Sequence, residues 1–229
     1  MTYCISDIHG EYELFMRLLT KINYAESDRL IVCGDFIDKG TASVKLAKTI
    51  FGLPNAYCIM GNHEHTFLKY YVSQTQSERL DFDAVLLSLQ QYFGKDGSLL
   101  DWDTVDMLVD LPYYMEDKDF VCVHAGIPMD KQNRILSPQD VAHEELVYDR
   151  RFKSPQILPT DSKCVCFGHT PTTYITSEPK ILTYPRLGAS ANSQNIADYY
   201  KIHLDTGATV SGVLGCFCVD NCQTFYVKR

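Results

Sequence analysis

No stretch of this 229-residue chain approaches the ~18 uninterrupted apolar residues that a membrane-spanning helix requires. The first residues, MTYCISDIHG, turn polar too early for a secretory leader. Both absences predict a cytoplasmic protein that makes no use of membrane. Positive charge is also scarce: 21 Lys and Arg stand against 29 Asp and Glu, a net charge of −8. That balance excludes a nucleic-acid polymer as the expected partner, because non-specific binding to one draws its free energy from cationic neutralisation of phosphates. A local positive site is compatible with it. Internal repeats and low-complexity tracts are missing too, and the length suits a single domain over residues 1–229.

Cysteine is abundant rather than scarce. Nine residues, an odd number, sit mostly inside short apolar runs such as RLIVCG, AYCIM, FVCVH and CVCFG. Buried, reduced thiols fit that placement better than a disulfide framework. The segment CFCVDNC holds Cys216, Cys218 and Cys222, but the spacing matches no familiar zinc pattern and the surroundings alternate like strands.

Hydrophobic periodicity predicts an α/β protein. YCIS reads as a strand and leads through a tight HG turn into a helix carrying Leu14, Phe15, Leu18, Leu19 and Ile22 on one stripe. RLIVCG repeats the unit, followed by the loop DFIDKG and a helix with Val44, Ala47, Ile50 and Phe51 on its apolar face. NAYCIM is a third strand. Residues 65–111 read as a helical insertion, with Val85, Leu86, Leu89 and Phe93 as its best amphipathic stripe. DFVCVHAG and SKCVCFGHTP are two further buried strands, and residues 200–228 read as a tail of three antiparallel strands. RLGASANSQN, 186–195, is the candidate mobile surface loop.

The five predicted strands end in SDIHG, CGDFIDKG, MGNHE, VHAG and FGHTP. In open α/β sheets ligands gather beyond the carboxyl ends of the strands, so these loops are expected to meet at one rim. Asp7, His9, Asp35, Asn62, His124 and His169 would supply oxygen and nitrogen donors without thiolate, a set suited to manganese, iron or zinc. Six donors exceed the needs of one ion. Two divalent cations are therefore expected, with Asp35 as the carboxylate that bridges them. His65, His143 and His203 lie away from strand ends and read as surface or internally satisfied histidines.

The five motifs, together with LDTGA at 204–208, resemble the metallophosphoesterase signature, and specifically the PPP branch. That branch contains the Ser/Thr protein phosphatases, bacteriophage lambda phosphatase and the ApaH-type dinucleoside tetraphosphatases. The resemblance implies a calcineurin-like sandwich of two mixed β-sheets flanked by helices. It implies Asp7, His9 and Asp35 around one metal and Asp35, Asn62, His124 and His169 around the other, with manganese the expected ion. Two such ions clamp a phosphate and acidify a water held between them. His63 would then protonate the departing alkoxide as general acid, oriented by Asp38.

Lys39 and Arg150 would grip the phosphate oxygens, with Arg151 as close competitor to Arg150. Protein phosphatases of the branch usually carry arginine where this chain has Lys39, and a lysine grips phosphate less directionally. The expected activity is a Ser/Thr protein phosphatase acting on a phosphoprotein or small phosphoester. The alternative is an ApaH-like dinucleoside polyphosphate hydrolase, whose members usually lack the Asp38 carboxylate. A non-catalytic scaffold ranks below both, because such relatives tend to lose the ligands or the proton donor that are present here.

Overall fold

The structure, a computed structural model, describes residues 1–75, 87, 89–90, 97–160 and 163–229. Its strands form two five-stranded mixed sheets. The first has the order β10-β9-β1-β2-β3, from β1 (Thr2–Ile5), β2 (Arg29–Val32), β3 (Ala56–Cys58), β9 (Val213–Cys218) and β10 (Thr224–Lys228). The second has the order β4-β5-β6-β8-β7, from β4 (Tyr114–Glu116), β5 (Phe120–Val123), β6 (Cys164–Phe167), β7 (Leu182–Pro185) and β8 (Tyr199–His203). Strands β1, β2 and β3 run parallel, as do β5, β6 and β8.

Period-two alternation divides the side chains between layers. In β1, Cys4 faces the interior between the sheets, whereas Tyr3 and Ile5 join the core under the helices. In β5, Phe120 and Cys122 point inward, and Val121 and Val123 pack on the far side with Leu146 and Phe152. Helix α1 (Tyr12–Lys21) buries Leu14, Phe15, Leu18 and Leu19 against the first sheet, and α2 (Ser43–Gly52) buries Val44, Leu46, Ala47 and Ile50. Each of these burials except that of Ala47 contributes about 1.5–3 kcal/mol. The expected stripe of α2 holds, with Leu46 added and Phe51 only half-buried.

Part of the helical region at 65–111 is seen as α3 (Asn62–Thr75) and α4 (Trp102–Val109). The side chain of Asp101 caps α4 by accepting from the Thr104 N–H at 3.0 Å. Of the stripe proposed there, Leu89 is buried in the helix-covered core, and Val85, Leu86 and Phe93 lie outside the described residues. Shorter helices α5 (His143–Tyr148), α6 (Thr173–Thr176) and α7 (Ala208–Ser211) complete the chain. No helix among the described residues is long and apolar enough to cross a membrane.

The C-terminal region departs from expectation. Its three strands exist, but only β9 and β10 are antiparallel neighbours; β8 lies in the second sheet, parallel to β6. The reason lies in the DTG corner, where Gly207 takes φ 72° and the short α7 carries the chain from one sheet to the other. The 186–195 segment is at the surface, with Leu187 97% exposed.

Candidate active site

The carboxyl ends of β1, β2, β3, β5 and β6 open at one rim, where the two sheets meet. Backbone hydrogen bonds continue the β1–β2 ladder into the loops, His9 N–H to Asp35 C=O at 2.9 Å and Gly10 N–H to Phe36 C=O at 2.8 Å. Across the sandwich, His124 donates from Nδ1 to the Cys33 carbonyl at 2.8 Å, and the His169 N–H donates to Asp7 Oδ2 at 2.9 Å. Loops from separate sheets are thus stitched together beneath the side chains they present.

The backbone is strained where those side chains emerge. Among the described residues eleven non-glycine residues have positive φ, and six of them are Asp7, His9, Asp35, Asp38, Lys39 and His169. A left-handed residue costs on the order of 1–2 kcal/mol, so concentrating six at one rim means the surrounding packing enforces them. Close approach explains the glycines of two loops. A Cβ on Gly61 would lie 2.3 Å from the Asp35 carboxylate, and one on Gly168 would lie 2.2 Å from that of Asp7.

All six proposed ligands meet here. His9 Nε2 lies 3.5 Å from Asp35 Oδ2 and 3.9 Å from Asp7 Oδ1, and His124 Nε2 lies 3.4 Å from Asp35 Oδ1. Asn62 Oδ1 is 3.0 Å from His124 Nε2 and 2.8 Å from His169 Nδ1. Donor atoms of His9, Asp35 and His63, and of Asp35, His124 and His169, form two groups within 4.8 Å that could each hold an ion, with Asp35 common to both.

The site fits a cation on several counts. His9 donates from Nδ1 to the Ile37 carbonyl at 3.0 Å, which leaves the lone pair of Nε2 facing the cluster. The ammonium of Lys39 donates to that nitrogen at 2.9 Å, a positive charge standing where a metal ligand atom points. His169 turns Nδ1 toward the same cluster, beside Asn62 Oδ1. Burial opposes the Asp35 charge, yet His124, His9 and His63 hold its carboxyl well below the usual range. Burial likewise opposes a charged His124, but the Asp35 carboxylate overcomes it and pushes the pKa up to about 10. At His169, burial and then the neighbouring charges of His124 and, less strongly, Arg150 push it down to about 3. Two adjacent imidazoles cannot both take protons; bound cations would engage both as neutral ligands.

His63 and Asp38 make a pair beside the ligands. His63 Nδ1 is 2.7 Å from Asp38 Oδ2, and its Nε2 is 3.8 Å from Asp35. Burial disfavours the imidazolium, but the Asp38 hydrogen bond and the Asp35 charge outweigh it and raise the pKa. Arg150 is exposed, and no side-chain hydrogen bond or ion pair ties it to another described residue. Arg151 instead pairs with Asp149, Nη2 to Oδ2 at 3.0 Å, which leaves Arg150 the better placed of the two to meet a phosphate.

Glu64 was missed in the sequence reading. Fully buried, it accepts four backbone N–H groups, from Asp35 (2.8 Å), Gly61 (3.0 Å), Phe36 (2.9 Å) and Ile37 (3.1 Å). One carboxylate thereby clamps the DFID loop onto the GNHE loop. Its place in the quoted GNHE motif was the only available signal. Of the histidines set aside, His143 is exposed and stacks on Tyr113. His65 is the internally satisfied kind: it is buried and bonded to the Tyr113 hydroxyl at 2.8 Å, with its other nitrogen 3.8 Å from Glu144 Oε1. His203, also buried, bonds the Thr170 carbonyl at 2.7 Å and braces the GHTP loop. Cys216 and Cys218 are buried in β9, and no metal-capable group among the described residues joins them with Cys222.

Two β-sheets meeting at a rim of hard donors, with a shared carboxylate between two ligand groups, define a metallohydrolase architecture. The chain belongs to the calcineurin-like phosphoesterase family, whose defining pattern matches residues 2–203. Among curated proteins it is similar to the symmetrical bis(5'-nucleosyl)-tetraphosphatases of Wigglesworthia glossinidia brevipalpis, 30% identical over 127 residues, and Marinomonas sp. (strain MWYL1), 33% over 129 residues. Those matches take in 55% and 56% of this chain and 44% of each relative, so the chain spans less than half the length of the relatives it matches.

Among solved structures it resembles one assigned to a diadenosine tetraphosphatase, with TM-score 0.69, 18% identity and coverage of 99% of this chain and 92% of the other. A Saccharomyces cerevisiae protein serine/threonine phosphatase follows at TM-score 0.53 and 15% identity, covering 100% and 79%. At such identities the structural matches speak to fold alone. The sequence relatives side with the dinucleoside polyphosphate reading over the protein phosphatase that was expected first.

Proposed function

We propose that the chain is a metal-dependent phosphohydrolase whose substrate is a dinucleoside polyphosphate. The observation that carries the reading is the convergence of Asp7, His9, Asp35, Asn62, His124 and His169 at one rim, where Asp35 is common to two groups of donor atoms, His9–Asp35–His63 and Asp35–His124–His169, in a chain similar to tetraphosphatases. Divalent ions held by these residues would neutralise phosphate oxygens and acidify a water for attack on phosphorus. Manganese suits the donor set, with iron and zinc as the other candidates.

The protein's own groups complete the chemistry. Asp7 and Asp35 are buried carboxylates whose charge balances that of bound cations. Arg150 and Lys39, the latter swinging away from His9, neutralise the phosphate oxygens that face solvent. His63, held by Asp38, gives its Nε2 proton to the departing oxygen.

That last pair supports a second reading. A nucleotide phosphate is a good leaving group and needs little protonation, whereas the alkoxide of serine or threonine needs a proton in hand. The 2.7 Å His63–Asp38 contact is therefore the feature that favours a phosphomonoester. Manganese-loaded protein assayed on diadenosine tetraphosphate and on a phosphothreonine peptide at equal concentration separates the two. The expected outcome is preference for the nucleotide, lost on chelation and restored by manganese. Preference for the peptide would establish the second reading, and hydrolysis of neither would revive the non-catalytic scaffold.

A further inference from the structure

Lys201 is a charged residue that nothing in the proposed chemistry uses. It lies in β8, the fourth of five strands in the second sheet, with no exposed surface, and its amine is surrounded by the rings of Tyr184, Phe152 and Phe167 at 4.7, 5.0 and 5.7 Å. Burial pushes its pKa down to about 7, so the amine holds its charge only weakly, and a polar group in such a place needs hydrogen-bond partners. No carboxylate pairs with it among the described residues. Its hydrogen bonds go instead to two backbone carbonyls, Phe152 at 2.6 Å and Ser154 at 2.7 Å.

Those carbonyls belong to the strap that leaves α5 and carries Arg150. The strap is fixed at three points. At its start, the Tyr148 hydroxyl and Thr66 Oγ1 are 2.8 Å apart, and Thr66 lies one helical turn beyond Asn62 on α3. In its middle, Phe152 packs on the glycine of the HAG loop so closely that a Cβ on Gly126 would sit 2.3 Å from it. At its end stands Lys201. Without the last anchor, the two carbonyls would lack their donor, and the strap that carries Arg150 would be held at two points instead of three.

We propose that Lys201 is a positioning residue for the phosphate-binding Arg150, setting the arginine's reach over the rim by tethering its strap from beneath. The inference rests on the reading of Arg150 as a phosphate ligand. A flexible guanidinium loses entropy on gripping an oxyanion; a strap held from below removes part of that cost beforehand. The role needs a donor that reaches from β8 to both carbonyls of the strap, which a lysine stem supplies; a shorter polar residue reaches at most one.

The test measures binding of inorganic phosphate to the manganese-loaded protein by titration calorimetry, so that turnover is not required. Arg150→Ala is expected to weaken phosphate about tenfold, the loss of a charge-assisted hydrogen bond. Lys201→Met should weaken it several-fold with metal content unchanged, and Lys201→Gln, which can still donate to one carbonyl, should fall between. Combined with Arg150→Ala, Lys201→Met should add nothing further, because it acts through the arginine. A purely structural lysine would lower the thermal midpoint and leave phosphate affinity alone, and that result would overturn the inference. If Arg150→Ala has no effect, the reading of Arg150 itself is wrong and the inference goes with it. Weakening by Arg150→Ala with none from either Lys201 variant would remove the inference only.

Discussion

Among the described residues two places gather side chains of the kind that hold metals, and they are built in opposite ways. At the rim, Asp7, His9, Asp35 and His169 emerge from left-handed backbone, and the imidazoles of His9 and His124 are oriented by carbonyls behind them. Between the sheets, the sulfurs of Cys4, Cys122 and Cys166 lie within 4.8 Å of one another, with 3.9 Å between Cys4 and Cys122. These thiols come from regular strand, and among the described residues no charged group hydrogen-bonds to them. Contacts with Cys166, Cys33 and Cys4, and then burial, push the Cys122 thiol well above its ordinary range. Such sulfurs stay protonated and behave as small apolar side chains. Donor type and proximity are shared by both places; strain and hydrogen-bonded orientation belong to the rim alone.

The comparison predicts which substitutions cost chemistry and which cost only stability. The largest effect is expected for His63→Asn, which should lower kcat on a phosphothreonine peptide by about 10²–10⁴ while the metals stay bound. The loss should be much smaller on diadenosine tetraphosphate, and steady-state kinetics on the two substrates checks it. An equal loss on both would show that His63 does more than protonate a leaving group.

Glu64→Gln comes next. An amide cannot accept all four N–H groups that the carboxylate takes, so the DFID and GNHE loops should separate and metal affinity fall by about 10–100-fold. Competition with a chelator reads this directly. Unchanged affinity would mean that the rim holds its shape without the clamp. The smallest effect belongs to the interior. Cys122→Ala should cost about 1 kcal/mol in denaturant unfolding, with metals per chain and turnover unaltered. Loss of a bound metal in that variant would break the contrast between the two regions.

The differences between sequence expectation and structure follow the same physics. Helices α1 and α2 were legible because their apolar stripes repeat at 3.6 residues, and β1, β2, β5 and β6 because each is a short apolar run stopped by a loop signal. Strands β4 and β7 were not recognised. Both are edge strands with no buried residue, so no alternation marks them. The tail was read as one antiparallel unit because local pattern says nothing about which sheet receives a strand. Glu64 escaped because its partners are backbone groups from another loop, and no side-chain pattern encodes them.

Sequence alone determined which donors this protein owns and that each follows a strand, because residue type and local periodicity are properties of neighbouring letters. Only the tertiary structure decided that strands of two sheets open onto the same rim. It also decided that Arg151 is paired with Asp149 while Arg150 is exposed, and that one buried glutamate and one buried lysine bond the backbone of neighbouring loops. Those outcomes depend on contacts between residues tens of positions apart, where hydrogen-bond geometry and close packing select among placements that the letters by themselves leave equal.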